Sequence, residues 1–90
     1  MLAERSDVLL PGLARRATDL CWLESGVRLT FGFDGNLLME LADVIAAEHQ
    51  CCRFLRFNVI VEPGDGAVTL DVTGPDGTVE FLEQLLRAES

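Results

Sequence analysis

Ninety residues are enough for one small domain; 49 % of them are hydrophobic and the formal net charge is −8 at pH 7. All seven basic residues are Arg, and a chain this acidic is repelled by phosphate backbones, which excludes a nucleic-acid reader acting alone. No apolar run approaches the roughly 20 residues of a membrane span, and three cysteines, an odd count, suit free thiols or metal ligands better than a disulfide framework.

The segment from Met1 to Asp7 carries acids and lacks a long apolar stretch, so it does not read as a secretory signal, and the expected location is the cytoplasm. Residues 1–17 read as a loosely attached arm ahead of an α+β core at 18–88. Within the arm, Pro11 suits the first turn of a short helix through Arg16.

Thr18 to Leu23 reads as a strand, Glu24-Ser25-Gly26 as a tight turn, and Val27 to Phe33 as a second strand. Val27, Leu29, Phe31 and Phe33 share one face. Together the two strands make a hairpin. Trp22 and Leu20 are expected to pack inward with Cys21 on the opposite face, although Leu23 shares the parity of Cys21 and leaves the facing open. Asp34-Gly35-Asn36 supplies turn and cap chemistry for a long helix from Asn36 to about Arg53.

A third strand follows at Arg56 to Glu62, with Phe57, Val59 and Val61 on one face. Pro63-Gly64-Asp65-Gly66 makes a turn. In the fourth strand, Val68 to Thr73, the apolar positions alternate with Thr and an Asp71 expected to be exposed. Gly74-Pro75-Asp76-Gly77 then opens a second helix with Pro75 in its first turn, buried through Val79, Leu82, Leu85 and Leu86 and flanked by Phe81. Strand, strand, helix, taken twice, predicts a two-layer α+β sandwich: a four-stranded, mainly antiparallel sheet packed by two helices. The apolar content of so short a chain predicts that it completes its burial as a homodimer.

The end of the long helix holds the chemistry. Leu37, Leu38, Leu41, Val44, Ile45, Cys52 and Leu55 form its apolar stripe, and at about 100° per residue Glu48 falls about 20° from Leu41, near the middle of that stripe. A carboxylate there costs several kcal/mol, as an order of magnitude, unless it is paired, hydrogen-bonded or protonated. Cys51 and Cys52 lie three and four residues on, within one turn of Glu48, and His49 flanks the stripe. Glu48, His49, Cys51 and Cys52 are therefore a candidate ligand set for a soft or borderline metal or metalloid ion of the Zn, Cu, Hg or As class.

Three arguments oppose it, or oppose an activated cysteine. Adjacent residues on a regular helix diverge by about 100°. A nearby carboxylate raises a thiol pKa, and the C-terminal end of a helix disfavours anions. Metal binding survives these better than nucleophilic catalysis, because a cation offsets the negative charge. Catalysis finds little support elsewhere: there is one histidine and no Ser/His/Asp pattern.

Glu48-x-x-Cys51-Cys52-x-Phe54-Leu55-x-Phe57 resembles a motif of a family of small uncharacterised bacterial proteins. The likeness runs from about Thr18 to Leu86 and includes the hairpin segment Gly26-Val27-Arg28-Leu29-Thr30-Phe31 and the stretch Thr73-Gly74-Pro75. It implies no particular activity. Many of those proteins carry Pro after the second Cys, which would stop the helix and splay the thiols; this chain has Arg53 there. Cys21 and His49 lie outside the motif.

Two functional readings stand side by side. One is thiol-dependent binding of a soft ion through Cys51 and Cys52, with Glu48 or His49 assisting. The other is a homodimeric structural or interaction module in which the Cys-Cys pair only packs. A redox role for the vicinal pair ranks below both, because adjacent cysteines close a strained ring.

Overall fold

The computed structural model describes residues 10–64 and 66–87. In chain order the elements are α1 (Leu10–Arg16), β1 (Asp19–Leu23), β2 (Gly26–Phe31), α2 (Gly35–Cys51), β3 (Arg56–Val61), β4 (Val68–Thr73) and α3 (Thr78–Arg87). The four strands form one antiparallel sheet in the order β1-β2-β4-β3. The small α+β fold expected from the sequence is the one adopted, with a helix more in its packing layer. No helix among the described residues is long and apolar enough to cross a membrane.

Period-two alternation divides the sheet into two faces. Val27, Leu29 and Phe31 of β2 lie opposite Val72, Leu70 and Val68 of β4, and all six are buried. The helices supply Leu10, Leu13, Leu37, Leu41, Val44 and Leu82 to the same core cluster. Gly26 begins β2 where the β4 backbone approaches closely: a Cβ there would fall 1.8 Å from the Val72 carbonyl oxygen. Gly64, at φ 65°, takes the left-handed turn position between β3 and β4.

The N-terminal arm is where expectation and structure part most clearly. Residues 1–9 lie outside the described residues, but Leu10, Pro11 and Leu13 are buried, so from Leu10 onward the arm is a core element and not a loose attachment. The apolar side chains of α1 pack between α2 and α3, and Arg16 at its end donates to Glu40 of α2. Burying one leucine fully is worth about 1.5–3 kcal/mol, which outweighs the modest helix propensity of a seven-residue segment.

Other boundaries moved for local reasons. The second strand ends at Phe31, and Phe33 is exposed, because the chain leaves the sheet at Gly32 to reach Asp34. There the Asp34 carboxylate accepts from the Asn36 N–H at 3.0 Å and caps α2. Pro75 lies ahead of α3 rather than in its first turn: its carbonyl accepts from both the Thr78 N–H and the Thr78 hydroxyl, in the turn that starts the helix. Of the stripe expected on α3, Leu82 is fully buried, while Leu85, Leu86 and Phe81 pack partly against the core.

Asp71 is buried and not exposed as expected. It stands directly opposite Arg28 on the sheet face away from the helices, and the guanidinium donates to both carboxylate oxygens, at 2.7 and 2.9 Å. This bidentate geometry holds the Asp71 carboxyl below the usual carboxylate range, first through the hydrogen bond from Arg28, against the opposing effect of burial.

Candidate functional site

Helix α2 ends where the chemistry was expected. Its last helical residue is Cys51, and Cys52 is the cap, with φ −126° and ψ 76°. The Cys52 N–H still closes the last helical bond, donating to the Glu48 carbonyl at 2.6 Å. The Leu55 N–H then donates to the Cys52 carbonyl at 3.0 Å, turning the chain so that Leu55 enters the core. Phe54, at the apex of that turn, stays half exposed and packs edge-on against Phe81, with 5.4 Å between ring centroids. The helix thus stops two residues short of Arg53, and no proline was needed to stop it.

Glu48 is inward, as the wheel predicts, at 6 % exposure. Its partner is the backbone of α1: the Leu10 N–H donates to Glu48 Oε2 at 3.3 Å. The carboxylate meets the start of α1, where first-turn N–H groups have no helical acceptor and the dipole favours negative charge. Burial raises the Glu48 pKa, and the Leu10 hydrogen bond offsets only part of that. Glu48 therefore ties α1 to α2 across 38 residues of sequence.

The four residues proposed as ligands are not brought into one set. Glu48 is committed to Leu10, while His49 and Cys51 are exposed and Cys52 is partly buried against the core. Among the described residues no group of three or more His, Cys, Asp and Glu side chains is arranged to hold a metal ion. The Cys52 thiol is pushed up by burial first, then by Glu48 and Cys51, so it is held protonated rather than activated. Cys21 is exposed on the sheet face away from the core, opposite Arg28. Leu20 and Trp22 lie on the core side opposite Leu29 and Val27 but, on an outer strand, stay 38 % and 40 % exposed instead of packing inward as expected.

Sequence reasoning missed two interactions: the acceptor role of Glu48 toward Leu10 and the Arg28–Asp71 pair. The second was visible in part, since Arg28 and Asp71 are charges of opposite sign at the outward positions of two strands; what was lacking was the adjacency of β2 and β4. A half-open cleft of about 310 Å³ lies between the β1–β2 turn and the start of α3. Glu24, Asp76 and Glu80 line it, an acidic set that opposes the anion binding a helix N-terminus would otherwise favour. No protein-family model, no curated protein and no solved structure matches this chain.

Proposed function

We propose that this chain is a self-associating interaction module whose working form is a homodimer. The observation that carries the reading is the outer strand β3, where three consecutive apolar residues stay in contact with solvent: Val59 at 38 %, Ile60 at 37 % and Val61 at 48 % exposure. Among the described residues no strand pairs with the outer edge of β3. A strand with apolar side chains on both faces and free backbone groups along one side is a template for pairing with another chain. The high apolar content of a 90-residue chain points the same way.

Sedimentation equilibrium of the reduced protein tests this. A dimer at micromolar concentration is expected, and a Cys51→Ala/Cys52→Ala variant should still dimerise, with a stability loss on the order of 1–3 kcal/mol. A monomer at every accessible concentration would remove the proposal.

A second reading, binding of a soft thiophilic ion by Cys51 and Cys52, is favoured by one feature. Because α2 stops at Cys51, the 100° divergence of neighbours on a continuous helix, about that figure for regular geometry, does not constrain Cys52. A two-thiolate ligand set suits Hg(II) or As(III), and a bound cation would offset the cost of deprotonating Cys52. Titration of reduced protein with either ion is the test: binding that persists unchanged in Cys51→Ser/Cys52→Ser rules those ligands out.

A further inference from the structure

The hydrogen-bond parity of β3 defines how a second copy would dock on it. The Glu62 N–H donates to the Ala67 carbonyl at 3.2 Å, and Glu62 continues the register in which Ile60 faces Thr69, Asn58 faces Asp71 and Arg56 faces Thr73. In an antiparallel ladder, pairs that exchange both backbone bonds alternate with pairs that exchange none. The even-numbered residues of β3 therefore direct their N–H and C=O groups toward β4, and Phe57, Val59 and Val61 direct theirs to the open edge.

Resting on the self-association proposed above, we infer that two copies pair β3 to β3 about a two-fold axis at Val59, forming a continuous eight-stranded sheet. This register sets Val59 against the partner copy's Val59 and Phe57 against its Val61, all with outward backbone groups, for about six intermolecular hydrogen bonds. The side chains of Phe57, Val59 and Val61 share the face of the buried Val72, Leu70 and Val68, so the pairing extends the core across the junction. On the other face Asn58 meets Ile60, and Arg56 meets Glu62 of the second copy.

The charge pattern selects this register and this edge. Arg56 and Glu62 are exposed, of opposite sign, and equidistant from Val59, so the two-fold brings each onto its complement twice. Moving the axis one residue toward Pro63 would place Phe57 against Pro63, which has no N–H to donate. The other outer strand, β1, has no basic residue between 18 and 24, so two copies joined there gain no complementary pair equivalent to Arg56 and Glu62. Joining β1 of one copy to β3 of the next would be heterologous and would leave a free β3 and a free β1 edge able to recruit further copies, whereas β3 to β3 uses up both β3 edges and closes at two.

Charge reversal and amide exchange on the full, reduced chain test the register. Arg56→Glu and Glu62→Arg should each weaken the dimer by about fivefold or more in sedimentation equilibrium, since each places like charges opposite twice. The double variant Arg56→Glu/Glu62→Arg should return to within about twofold of wild type. In wild type, the amides of Phe57, Val59 and Val61 should gain exchange protection as concentration rises through the dimerisation range. Single variants that dimerise like wild type, a double variant that does not recover, or those three amides unprotected in a dimeric sample would overturn this interface and leave self-association standing. A wild-type monomer would overturn both.

Discussion

Replacing Glu48 separates its two physical roles, a buried charge and a hydrogen-bond acceptor. Glu48→Gln keeps an acceptor for the Leu10 N–H and removes the charge. Glu48→Ala removes both and leaves that N–H, on a residue with no solvent exposure, without its acceptor. Relative to Glu48→Gln, an unsatisfied buried N–H costs about 1–3 kcal/mol, the lost methylene adds about 0.8 kcal/mol, and no longer burying a polar amide returns on the order of 1 kcal/mol; relief of the carboxylate's desolvation is common to both variants and cancels. Glu48→Ala should therefore fall about 2 kcal/mol below Glu48→Gln at pH 7. For a chain of this size that is roughly 10 °C in Tm.

The pH dependence of the same variants has a definite sign. Burial raises the folded-state pKa of Glu48 above its ordinary value of 4.5. Its contribution to stability is therefore full below pH 4.5 and is lost as pH rises through the raised value. Glu48→Gln carries no such proton, so its stability relative to wild type should increase as pH rises above 4.5. Urea unfolding followed through Trp22, the single tryptophan, measures both effects, and amide exchange at Leu10 reports the bond directly. Equal stability of the Ala and Gln variants at pH 7, with Leu10 equally protected in both, would refute the tie between α1 and α2. A constant difference between Gln and wild type from pH 4 to 8 would refute the buried-charge argument.

The other predictions concern the same framework. Asp71 has the opposite linkage: its lowered pKa contributes stability above the ordinary value of 3.8 that is lost as pH falls through the folded value, so Asp71→Asn should flatten the acid limb of the stability curve. Leu10→Ala should cost about 2–5 kcal/mol in urea unfolding, as for a fully buried core leucine; a change near zero would return the arm to the surface. Gly26→Ala, which drives a methyl into the Val72 carbonyl, should cost about 1–3 kcal/mol and loosen amide protection at the Gly26–Thr73 end of the β2–β4 pairing.

How much was legible before folding follows from the range of each signal. Val27-Leu29-Phe31 and Val68-Leu70-Val72 announce their common face through alternation, a property of the extended chain. Leu37, Leu41, Val44 and Glu48 announce theirs through the helical period, which is why an inward carboxylate could be read from the sequence before any contact was known. The loose arm was misjudged because Leu10 and Leu13 make too short a pattern to show periodicity, and their burial comes from contacts with α2 and α3.

Glu48 shows the division most clearly. Its inward direction is local, an angle on a helix, and the sequence alone determined it, along with the acidic charge, the elements and their apolar faces. Its partner, the Leu10 N–H, is 38 residues away, and only the packing of α1 against α2 decided that the carboxylate would serve as a tie. The order β1-β2-β4-β3, the Arg28–Asp71 pair and the outer position of β3 belong to the same class. Periodicity states which way a side chain points; which strand becomes its neighbour depends on the free energies of competing long-range pairings, to which every element of the fold contributes at once.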